Sequence, residues 1–196
     1  MPSKTQVKDE LLVERFVASF EKLDEMLVFE ETDPVALQLA IGEPDQHDFR
    51  RWRPIKVNTE TSALEPIYSR LPARFPRLFE RLVLLYRWAE VDLKSYRLLA
   101  NPPGPGLGGL LEQMYQGPDM WNCLLEAGYI QFAKGPDVDF DPVCFDINGR
   151  RQNRDYRILK IDHEEILCNN RVQVVAELAP SFERLMERTI KEASSK

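Results

Sequence analysis

Imidazole and thiol groups are scarce in this chain of 196 residues, which has two histidines, His47 and His163, and three cysteines, Cys123, Cys144 and Cys168. A zinc site of the C-x-x-C kind needs two cysteines close in sequence, and no such pair exists here. Each thiol stands beside apolar residues, in WNCLL, PVCFD and ILCNN, the setting of reduced, mostly buried cysteines. Long apolar runs are also missing. Nothing approaches the roughly 20 residues that cross a bilayer, and the N-terminal MPSKTQVKDELL has no continuous apolar core of the signal-peptide kind. The expectation is a cytoplasmic protein with no membrane partner. The P-loop and G-x-S-x-G sequences of phosphate binding and nucleophilic catalysis are absent as well, and there is no internal repeat.

What is present describes a chain that folds. Hydrophobic residues make up 43% and charged residues 30%, away from the low-hydrophobicity composition of disordered segments. The length suits one well-packed core. The net charge of -6 is uneven: residues 1–50 carry -7, 51–100 carry +5, 101–150 carry -5 and 151–196 carry +1. No concentrated basic face follows from this, so nucleic acid is not an expected ligand. An acidic surface favours a basic protein partner instead.

Along the chain, Leu12, Phe16, Phe20, Leu23 and Leu27 recur at spacings of three and four and predict one amphipathic helix over residues 8–28. A short helical segment, PVALQLAIG, follows, with Pro34 at its start and Gly42 at its end. Residues 43–62 lack periodicity and read as a connector. SALEPIYSRLP and PRLFERLVLLYRW read as helices in which Phe75, Phe79, Tyr86 and Trp88 are core residues. NPPGPGLGG is the strongest loop signal, and LLEQMYQ and PDMWNCLLEAG read as two short helices. YIQFAKG, DPVCFDI and YRILKID have the pattern of three antiparallel strands. A closing helix is predicted from about Arg171 through VQVVAELAPSFERLMERTIKEA, restarted at Pro180. The fold class expected is α+β, a small and mostly antiparallel sheet flanked by helices with an N-terminal helical extension. The division expected is an extension and connector over 1–60 and an α+β domain over 61–196.

The stretches that resemble chemical motifs fail on their details. Gly104, Gly106 and Gly109 fit G-x-G-x-x-G, but Pro102 and Pro103 separate them from any strand and Pro105 removes a backbone donor. Asp137, Asp139 and Asp141 are spaced like the first ligands of a calcium loop, yet Pro142 and Asn148 stand where glycine and a bidentate carboxylate are required. His163-Glu164 begins like H-E-x-x-H, but Leu167 occupies the second histidine's place. No catalytic, cofactor-binding or metal-ligating residue is therefore assigned, and no cofactor is expected. The residues left as a candidate site form a partner-facing acidic patch: Asp137, Asp139, Asp141, Asp146, Asp162, His163, Glu164 and Glu165.

The succession GYIQFAKG, DPVCFDI, a polar loop, YRILKIDHEEIL and a helix carrying APSFERLMERTI resembles the SUKH superfamily, which includes fungal cell-wall assembly regulators and bacterial immunity proteins. RLPARFPRLFERLVLLY is similar to that family's leucine-proline followed by an aromatic-rich helix. The likeness covers approximately residues 62–192 and is most specific at Asp141 to Asp146 and Ile161 to Leu167. Residues 1–60 and NPPGPGLGG stand outside it. The resemblance implies an α+β fold and a non-catalytic protein-binding role, in bacteria the neutralisation of a cognate toxin within a polymorphic toxin system. The family supplies no catalytic residues, and its partner contacts vary between members.

Two alternatives from other classes stand beside that expectation. A metal-dependent enzyme would draw on Asp141, Asp146, Asp162, His163 and Glu164 as ligands or base, and needs them to converge in one pocket. A regulatory or scaffold subunit would dock through its N-terminal helices.

Overall fold

The computed structural model describes residues 3–29, 36–115, 117–149 and 155–195. The first helix, α1 (Lys4–Val17), starts in a capping box formed by Ser3 and Gln6 and buries Val13, Phe16 and Val17. It stops well short of residue 28. The Ser19 hydroxyl donates to the Phe16 carbonyl, a short helix α2 (Phe20–Leu23) follows, and the Met26 N–H then turns onto the Asp24 carboxylate with Met26 at φ 54°. That turn directs Leu27 into strand β1 (Leu27–Phe29).

Beyond a 3-10 turn at Ala36–Leu39, the stretch read as helix and connector forms strands: β2 (Ala40–Ile41), β3 (Phe49–Trp52) and β4 (Ile55–Lys56). Pro34, read as the start of a helix, lies outside the described residues. β3 is central in an antiparallel sheet ordered β1-β3-β2, while β4 pairs with β5 (Tyr86–Arg87).

The larger sheet has six strands, all antiparallel, ordered β11-β10-β9-β8-β7-β6. Its strands are β6 (Val91–Asp92), β7 (Arg97–Leu98), β8 (Tyr129–Lys134), β9 (Pro142–Asp146), β10 (Arg157–Ile161) and β11 (Val174–Ala179). The three C-terminal segments read as strands pair as expected. The segment from Arg171 to Ala179 does not form the expected helix. Val174 to Ala179 pair with β10 instead, and the helix begins only after Pro180, as α8 (Phe182–Ser194) capped by Ser181.

Alternation along the strands gives the sheet two covered faces. Two short helices, α3 (Glu65–Tyr68) and α5 (Gly108–Met114), fall between β4 and β5 and between β7 and β8 in sequence. Ile130, Phe132, Val143, Phe145 and Ile158 pack with α1, α8 and α4 (Arg77–Leu85), whereas Cys144 and Ile161 pack with α6 (Pro118–Glu126) and α7 (His163–Asn169). At the centre of the first face Phe79 lies edge-on to Phe75, Phe132, Phe145 and Phe182 at centroid separations of 5.0 to 5.6 Å. Phe132 and Phe145 stack at 4.2 Å. Phe75, Phe79, Tyr86 and Trp88 are all buried, as expected of core residues, but only Phe79 is helical: α4 ends at Leu85, and the expected helix through Trp88 gives way to β5 and to a bridge from Trp88 to Asn101.

The N-terminal segment belongs to this same core. Val13, Phe16, Phe20, Val28 and Trp52 join one cluster with α4, α8 and the sheet, and ion pairs Asp9–Arg77 and Glu10–Arg81 tie α1 to α4. The described part of residues 1–60 thus packs into the domain's interior.

Candidate functional site

The acidic segment read as a calcium-like run is the connection between β8 and β9. Its residues form a tight turn: the Gly135 N–H donates to the Asp141 carbonyl at 2.9 Å, the Asp139 N–H to the Pro136 carbonyl at 2.9 Å, and Asp137 takes φ 51°. The Asp139 carboxylate folds back over Gly135, where a Cβ would collide with it, and accepts the Asp141 N–H at 2.9 Å. The turn is thereby held from inside, and Asp137 stays exposed at its tip. Asp139 and Asp141 turn inward, while Val138 and Phe140 are 85% and 57% exposed.

Lys160, on β10, anchors the inward carboxylates, with Nζ 2.8 Å from Asp139 and 3.4 Å from Asp141. Its ammonium is held above the ordinary lysine value, first by the hydrogen bond to Asp139. The other oxygen of Asp141 meets both the backbone N–H of His163, at 3.0 Å, and its Nδ1, at 2.8 Å. Burial pushes the Asp141 carboxyl up, but the His163 side chain, the His163 N–H and Lys160 together outweigh it, and the group sits below the ordinary carboxylate range.

The residues Asp162 to Glu165, expected as a solvated strand exit, start a helix. Asp162 is the N-cap of α7, its Oδ1 accepting the N–H groups of Glu164 and Glu165 at 2.9 and 3.1 Å. Glu164 and Glu165 occupy the first turn, where the helix dipole favours negative charge. Glu165 also receives Arg171 at 2.7 Å, which lowers its pKa, whereas Glu164 faces solvent.

Asp141, Asp162 and His163 present potential ligand atoms within 4.8 Å of one another. Two of the three residues also hold the turn to the helix: Asp141 is shared between His163 and Lys160, and Asp162 caps α7 through Oδ1. Asp146 is not part of this group. It ends β9, about 17 Å along the strand from Asp141 at the usual rise, is buried to 2% exposure, and is bound by Arg157 Nε at 3.2 Å and Nη2 at 2.6 Å. The expected single patch is therefore two separate places, and the five residues of the metal-enzyme alternative do not meet in one pocket.

Sequence reasoning found the carboxylates and missed the cations that neutralise them, Lys160 and Arg157, as well as the exposed Val138 and Phe140. The signal for the latter was apolar residues alternating with aspartate inside a run bounded by Pro136 and Pro142. The glycine-rich loop is confirmed as a loop. Gly106, at φ 64°, gives its carbonyl to the buried Arg87 guanidinium at 3.1 Å. The thiols differ from one another: Cys144 is buried, Cys123 half-buried and Cys168 exposed, so the expectation of mostly buried cysteines fails at Cys168.

No protein-family model matches the chain, and no curated protein matches it in sequence. Among the described residues no helix is long and apolar enough to cross a membrane.

Proposed function

We propose that this chain is a cytoplasmic, non-catalytic protein-binding module of the SUKH type, an immunity protein that neutralises a basic toxin domain, and that the Gly135–Asp141 turn lies in the contact surface. The observation that carries this reading is the pairing of exposed Phe140 and Val138 with the solvent-facing carboxylate of Asp137, on a turn braced by Lys160 and His163. An exposed aromatic in a fixed position is a typical energetic anchor of an interface, and flanking carboxylates steer a basic partner toward it. Bracing matters because a turn already held in place loses little conformational freedom on binding.

The test is co-expression and pull-down with the toxin-like C-terminal domain encoded by a neighbouring gene. The chain is expected to bind that domain and restore growth, with Phe140→Ala and Asp137→Lys weakening binding by about tenfold or more while the fold is unchanged. A chain that neither binds that domain nor restores growth would count against the reading.

A second reading, a metal-dependent enzyme, is favoured only by the mutual approach of Asp141, Asp162 and His163. It expects magnesium, manganese or zinc to raise the melting temperature of the wild type and to leave Asp162→Ala unmoved.

A further inference from the structure

Among the described residues, the sheet β1-β3-β2 is packed on one face only. Val28 and Trp52 enter the core, and the alternate positions point the other way. Leu27, Ile41 and Phe49 are 41%, 40% and 37% exposed along an open groove of about 570 Å³. The register sets Leu27 and Ile41 on either side of the exposed Arg51.

The charges on this face are polarised along the strand direction. Arg51 lies at one end, and among the described residues neither it nor Glu43 forms an ion pair. Past Ile41 the chain leaves β2 at Gly42, with φ 72°, and Glu43 lines the same groove as Phe49. Asp45 sits there too, its N–H donating to the Phe49 carbonyl at 2.8 Å. One Asp45 oxygen accepts the N–H groups of His47 and Phe49, and the second is left outside those bonds. The basic and acidic ends are thus separated by about 7 Å, two residues of strand.

We infer that this face is the interface of a homodimer, in which a second copy docks face to face about a two-fold axis crossing β3 near Arg50. That rotation exchanges the two ends of the patch. Arg51 of each copy then meets Glu43 and Asp45 of the other, and the apolar side chains of the two copies close over one another. An isologous contact requires a patch that complements itself, and a patch with opposite charges at its two ends does so by construction. The dimer face is separate from the Gly135–Asp141 turn, which joins two strands of the larger sheet, so failure of either proposal leaves the other standing.

Sedimentation equilibrium on the full chain tests it. The wild type is expected to form a concentration-dependent dimer. Arg51→Glu and Glu43→Lys, each confirmed folded by circular dichroism, place like charges opposite each other twice per dimer and are expected to weaken it by roughly tenfold or more. Mixing the two variants in equal amounts restores both ion pairs in the heterodimer and is expected to recover association. A wild type that stays monomeric to ~100 µM, a dimer indifferent to Arg51→Glu, or folded variants that fail to associate on mixing would each overturn the proposal.

Discussion

His163 brings two nitrogens to one oxygen of Asp141, its backbone N–H at 3.0 Å and Nδ1 at 2.8 Å, and so joins the start of α7 to the turn before β9. The connection spans 22 residues of sequence and crosses from a loop to a helix. Lys160 completes it from β10.

The first prediction concerns this carboxylate. A group held below its unfolded-chain value contributes stability that is fully present above about pH 4 and drains away as pH falls through the lower folded value. Asp141→Asn is therefore expected to cost about 1–2 kcal/mol at pH 7. The gap between variant and wild type should shrink as pH falls below about 4. Urea unfolding of both proteins across this range checks it, and a gap independent of pH would refute the assigned cause.

A second prediction concerns Asp146 and Arg157, cross-strand partners on β9 and β10. Asp146 is buried, while the Arg157 side chain is 45% exposed, so removing the arginine strands a carboxylate that, among the described residues, keeps only the Asn148 N–H, at 3.1 Å. Arg157→Met is expected to cost roughly 2–3 kcal/mol and Asp146→Asn to recover part of that loss in the double variant. A double-mutant cycle by chemical denaturation measures the coupling; strict additivity would mean that the pair contributes nothing.

Legibility followed the reach of the forces involved. Local periodicity revealed α1 and the three C-terminal strands, because side-chain alternation is written in adjacent residues. The break after Val17 and the exit from α2 were hidden because they rest on local side-chain bonds, Ser19 to the Phe16 carbonyl and the Met26 N–H to Asp24, that compete with a continuing apolar stripe. In β11, Ala176, Glu177, Leu178 and Ala179 are helix formers, but pairing with β10 decides their conformation. The start of α7 was legible in principle, since Asp162 followed by Glu164 and Glu165 is an N-cap with an acidic first turn. The site divided in the same way. Its carboxylates stand in plain sequence, while the cations that neutralise them come from other strands and only the fold brings them together.

A third prediction separates the cysteines. Burial pushes the Cys144 thiol well above its ordinary value, and burial with the nearby Glu126 raises that of Cys123. Cys168 is exposed on α7. A thiol reagent at neutral pH should modify Cys168 rapidly, Cys123 slowly, and Cys144 only as the protein unfolds. Cys168→Ser should abolish the fast phase, and its survival in that variant would show that another thiol is the accessible one.

The last prediction concerns Arg87, a buried guanidinium with no ion pair among the described residues. Its donors go to neutral acceptors: the carbonyls of Val83 at 2.7 Å, Tyr86 at 3.1 Å and Gly106 at 3.1 Å, and the Thr59 hydroxyl at 2.7 Å. Val83 and Tyr86 lie at the C-terminal end of α4, where unpaired carbonyls and the negative end of the helix dipole take the place of a carboxylate. Asn101 supports the same two carbonyls through Nδ2, at 3.1 and 2.7 Å. Burial lowers the Arg87 pKa, but a guanidinium starts high enough to stay charged. Arg87→Met leaves the Gly106 carbonyl without this donor and is expected to cost about 2–4 kcal/mol. Arg87→Lys restores the charge but not the planar fork that reaches both the helix end and the loop, so it should recover only part of the loss. Because Gly106 belongs to NPPGPGLGG, both variants should also be cleaved faster within residues 102–109 in limited proteolysis. Wild-type stability together with an unchanged cleavage rate would show that the loop is held by other contacts.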